Sequence, residues 1–64
     1  MKKLFELQVW YRYVIAGEQE KDFEFHNIEA FTIEDALKEV SKLYQSFSRI
    51  PFAIYHNNQK FKPC

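Results

Sequence analysis

The hydrophobic pattern of this chain changes period at Thr32. From Leu4 to Ile15 and from Asp22 to Ala30, apolar residues recur mainly every second position. Beyond Thr32 the series Ile33, Ala36, Leu37, Val40, Leu43, Tyr44 and Phe47 follows helical spacing. Thr32 and Asp35 form a T-x-x-D signal, in which a hydroxyl caps the orphan amides of a helix start. The pattern therefore predicts a hairpin followed by a helix over about 33–47. Glu34 and Asp35 suit the positive end of that helix, and Pro51 forbids its continuation through Ile50.

The first strand, about 3–15, places Phe5, Leu7, Val9, Tyr11, Tyr13 and Ile15 on one face. The other face carries Leu4, Glu6, Gln8, Trp10, Arg12 and Val14. The nearly unbroken apolar row is the one expected to meet the helix. Residues 16–21 are polar and contain the only glycine, so they read as a hairpin loop. The second strand, about 22–30, changes phase. Phe23 and Phe25 are odd-numbered, whereas Ile28 and Ala30 are even, and a bulge near Asn27 would bring all four to one side.

Residues 52–56 and 59–62 read as two further strands joined through Asn57-Asn58, a pair suited to the positive φ angles of a type I′ turn. A two-residue turn there aligns Ile54 with Phe61 and Tyr55 with Lys60, so apolar meets apolar. The fold class is thus α+β: one ββαββ domain spanning residues 1–64, with a four-stranded antiparallel sheet and one helix on one face. A right-handed crossover brings the third strand beside the first, in the order 2-1-3-4.

Composition sharpens this picture. A chain of 64 residues buries only about 60% of its unfolded surface, so its core needs support. One cysteine rules out an internal disulfide, and Cys64, His26 and His56 lack metal-ligand spacing. No metal or cofactor is expected. What remains is dense aromatic packing, with seven Phe, four Tyr and one Trp, together with self-association. Nine basic and nine acidic residues balance, without the basic excess of a dedicated nucleic-acid binder. No apolar run is long enough for a membrane helix, and Glu6, Gln8 and Arg12 interrupt any signal-peptide core. The lone thiol fits a reducing cytoplasm.

Candidate chemistry lies on the face the helix leaves open. If Tyr13 pairs with Phe23, then Arg12 meets Glu24 and Trp10 meets His26 on that face, with Tyr55 and Lys60 nearby. Trp10, Arg12, Glu24, His26, Tyr55 and Lys60 form the candidate interaction face, since Trp, Tyr and Arg anchor interfaces. His26 would need a nucleophile and an orienting acid to catalyse, and Glu24, two residues away, stands about 7 Å off along the strand. The serines fall near the helix, and no catalytic motif is present. His56, beside a turn, should face solvent. The expected function is a non-enzymatic protein-interaction module forming a homodimer in the cytoplasm. The alternative is a single-stranded nucleic-acid platform in which aromatic rings stack on bases beside Arg12 and Lys60. The acidic row Glu18, Glu20, Asp22 and Glu24, placed at the same end of the sheet, argues against it.

Overall fold

The computed structural model describes residues 1–45 and 48–63. Strands β1 (Lys3–Ile15) and β2 (Glu18–Ala30) form a long hairpin, followed by helix α1 (Ile33–Lys42), β3 (Ile50–His56) and β4 (Gln59–Phe61). The strands make one open antiparallel sheet in the order β2-β1-β3-β4, with the longest apolar strand inside, as the crossover argument requires. The molecule is elongated, 45 × 24 × 16 Å, because the first hairpin runs on past the end of β3. Among the described residues, no helix is long and apolar enough to cross a membrane.

Thr32 caps α1 in extended geometry, its hydroxyl accepting from the Asp35 amide at 3.2 Å. The regular helix ends at Lys42, shorter than the apolar spacing suggests. Its last turn tightens into i→i+3 bonds at Leu43, Tyr44 and Gln45, which still bury Tyr44 but leave Leu43 exposed. Phe47, the end of the expected stripe, lies outside the described residues. Leu7, Val9, Tyr11 and Ile54 meet Ala36, Leu37, Val40 and Tyr44 in the core. The helix therefore covers the odd face of β1.

The two hairpins differ in how openly the sequence announces them. Asn57 and Asn58 have φ values of 49° and 65° and close β3–β4, pairing Ile54 with Phe61 and Tyr55 with Lys60 as the spacing predicts. The first hairpin is just as tight. Ala16 (φ 51°) and Gly17 (φ 79°) form a two-residue turn, and Glu18–Lys21 belong to β2 rather than to a six-residue loop. Twist-matched turns of this kind favour Gly and Asn, and the alanine conceals one here.

That turn resets the register. Trp10 pairs with Phe23 and Leu7 with His26, without any bulge near Asn27. The expected pairings of Trp10 with His26 and of Arg12 with Glu24 do not form. The irregularity lies in β3 instead, where Phe52 is the extra residue between partners of Trp10 and Tyr11. Pro51 sits where β4 no longer runs alongside, a position that tolerates a strand proline.

Candidate interaction face

The register divides the candidate residues between two faces. Trp10, Arg12, Tyr55 and Lys60 lie on the open side, opposite the buried Leu7, Val9, Tyr11 and Ile54. Glu24 and His26 do not join them. They face the helix, because the even residues of β2 stand beside the odd residues of β1.

What replaces them beside Trp10 is aromatic. The Phe23 ring centroid lies 4.8 Å from that of Trp10, and Phe25 meets Phe23 edge-on at 5.8 Å. The apolar phase of β2 shifts because the strand changes the face it uses. Near the helix it buries Ala30 and half-buries Ile28. Farther out it turns Phe23 and Phe25 to the open side, 41% and 62% exposed. Phe52, thrown out by the bulge, has the Lys21 ammonium 5.8 Å from its ring centre. Ala53, the partner of Trp10, is buried beneath this surface although it is outside the main core. Glu6, Gln8, Phe25 and Tyr55 line a shallow groove alongside, closed by Asn57 and Asn58. The alternation of Phe23 and Phe25 with charged neighbours is the sequence signal for this cluster, and a bulge near Asn27 would instead turn both rings toward the helix.

On the covered side, Glu24 is the hub of a polar cluster. Its Oε2 accepts from the Tyr44 hydroxyl at 3.0 Å and from His26 Nε2 at 3.1 Å. Its Oε1 accepts from Arg49 and, at 3.4 Å, from the Tyr11 hydroxyl. His26 Nε2 also lies 2.7 Å from the Tyr44 oxygen. An ionised carboxylate only accepts, so the network assigns the proton to Nε2. The Arg49 guanidinium stacks over the Tyr11 ring at 5.0 Å.

Burial alone would raise the Glu24 pKa, but hydrogen bonds from Tyr44 and His26, with the Arg49 charge, hold it below the ordinary carboxylate value. Burial is also the main reason the Tyr44 and Tyr11 hydroxyls are raised above 10, with Glu24 adding to it. Glu24 thus stays charged and Tyr44 stays protonated near neutrality. This arrangement fastens the chain after α1 to the edge strand, and it brings the Glu24 and His26 side chains into contact, closer than the strand spacing suggests.

His56 is not simply a solvent-facing residue. Its Nδ1 lies 3.1 Å from the Glu6 carbonyl, and its ring meets Phe5 edge-on at 5.4 Å. No group of three or more His, Cys, Asp or Glu among the described residues could hold a metal ion. Cys64 lies outside the described residues. No protein-family model matches this chain, and comparison with curated proteins and with solved structures returns no match.

Proposed function

We propose that the chain is a non-enzymatic interaction module of the cytoplasm that binds protein, a second copy first, through the open sheet face. One observation carries the reading: Trp10, Phe23 and Phe25 form a contiguous aromatic surface on the side away from the helix, separate from the buried cluster on the other side. Large aromatics grouped on one partly exposed surface are typical interface anchors. A domain this small gains stability by covering them. The titratable cluster around Glu24 is engaged in holding the fold, which supports a non-enzymatic role. The lone thiol supports the cytoplasmic assignment.

Sedimentation of wild type and of Phe25→Ser over a wide concentration range tests this. The reading expects the wild type to dimerise and the variant, with unchanged circular dichroism, to remain monomeric. A wild type that is monomeric at high micromolar concentration contradicts it.

A second reading gains from the register. The acidic row Glu18, Glu20, Asp22 and Glu24 belongs to the covered side, so Arg12, Lys21 and Lys60 share the open side with the aromatics. Single-stranded nucleic acid is recognised by such combinations of ring and cation. Salt-sensitive quenching of Trp10 by an oligonucleotide would support it, and no quenching at low salt would remove it.

A further inference from the structure

The open face is self-complementary when reversed end for end. Along β1 it reads Leu4, Glu6, Gln8, Trp10, Arg12, Val14: apolar, acid, polar, aromatic, base, apolar. Reversal about the level of Val9 places Leu4 on Val14, Glu6 on Arg12 and Gln8 on Trp10. The neighbouring strands obey the same centre. Phe25 and Phe23 are the partners of Gln8 and Trp10 in β2, so reversal places one on the other. Tyr55 and Ala53 are the partners of the same two residues in β3, so a large side chain faces a small one.

From this we infer that two copies of the chain stack their open faces about a two-fold axis that lies between the sheets, perpendicular to the strands, at the level of Val9. The inference rests on the reading of this face as a self-association surface and specifies its geometry. Two-fold symmetry requires one patch to complement itself, which this axis achieves. The other face-to-face choice, an axis along β1, would place Glu6 on Glu6 and Arg12 on Arg12. Stacked sheets pack about 10 Å apart at roughly 30°, so the match is closest at the aromatic centre and relaxes toward Leu4 and Val14. A standard interface of about 800 Å² per partner would take about a sixth of the 4946 Å² this chain exposes, within reach of one sheet face.

Charge reversal tests the geometry. Glu6 and Arg12 are both exposed, so their substitution leaves the monomer fold in place, which circular dichroism verifies. Glu6→Arg and Arg12→Glu should each weaken dimerisation by about tenfold or more, because each turns two attractions into two repulsions. The double variant Glu6→Arg/Arg12→Glu should recover dimerisation close to wild type. Single variants that weaken the dimer without recovery in the double variant overturn the end-for-end arrangement, as do single variants that dimerise like wild type. A dimer that also survives Phe25→Ser unchanged would show that the open face is not the interface, which is failure of the underlying reading. Monomeric wild type is failure of both.

Discussion

The two faces of this sheet use the same kinds of side chain to different ends. On the covered face Leu7, Val9 and Ile54 are fully buried against α1. Where that apolar cover ends, Glu24 gathers Tyr44, His26, Tyr11 and Arg49 into a network that closes the rim. On the open face Trp10 meets Phe23 and Phe23 meets Phe25 edge-on, and the two phenylalanines remain exposed. A buried apolar residue stabilises the monomer it belongs to. An exposed aromatic cluster stabilises whatever covers it.

If that contrast is correct, substitutions on the two faces should separate folding from association. The largest effect belongs to the covered face. Leu7→Ala, at full burial, should cost about 2–5 kcal/mol, enough to unfold much of so small a domain in chemical denaturation. Next comes Glu24→Gln, which removes the charge that Arg49, His26 and Tyr44 are arranged around. Its cost should be about 1–3 kcal/mol in the same assay. Smaller, and opposite in sign, is Ala16→Gly. Alanine at φ 51° is strained by about 1 kcal/mol, and glycine relieves most of it, so thermal unfolding should move upward. Smallest for folding is Phe25→Ser, expected within about 0.5 kcal/mol in the monomer, although the proposed dimer should be lost with it. Comparable losses of stability from Leu7→Ala and Phe25→Ser would break the distinction between the faces.

The pH dependence belongs to the covered face as well. Glu24 has a lowered folded pKa, so its stabilisation is present above the unfolded carboxyl value near 4.5. It is lost as pH falls through the folded value. Tyr44 and Tyr11 have raised pKa values, so their contribution is whole below the unfolded value near 10 and declines as pH rises above it. Denaturation of wild type and Glu24→Gln at pH 7 and pH 3 should show their difference narrowing in acid.

Much of the fold was legible in the sequence because local chemistry agreed with spacing. Thr32 announces the helix start, Asn57-Asn58 announces the second hairpin, and the apolar run of β1 places that strand inside the sheet. The first hairpin was not legible, because Ala16 occupies a left-handed position usually marked by Gly or Asn. A loop read as six residues rather than two changed the pairing from Trp10–Phe23 to Trp10–His26, and so moved Glu24 and His26 to the wrong face. Trp10, Arg12, Tyr55 and Lys60 kept their face because their phase depends on β1 and the second hairpin alone. Tyr44 and Arg49 were not recognisable as partners of Glu24. Twenty or more residues separate each from it, and only the folded helix brings them together.

The account is tested most directly by residue-resolved NMR of the wild type during dilution from high to low micromolar concentration. Chemical-shift changes should concentrate on Gln8, Trp10, Phe23, Phe25, Ala53 and Tyr55 and spare Lys38, Glu39 and Lys42 on the outer surface of α1. Changes centred on α1, or none at any concentration, would contradict the assignment of the open sheet face as the surface through which this chain associates.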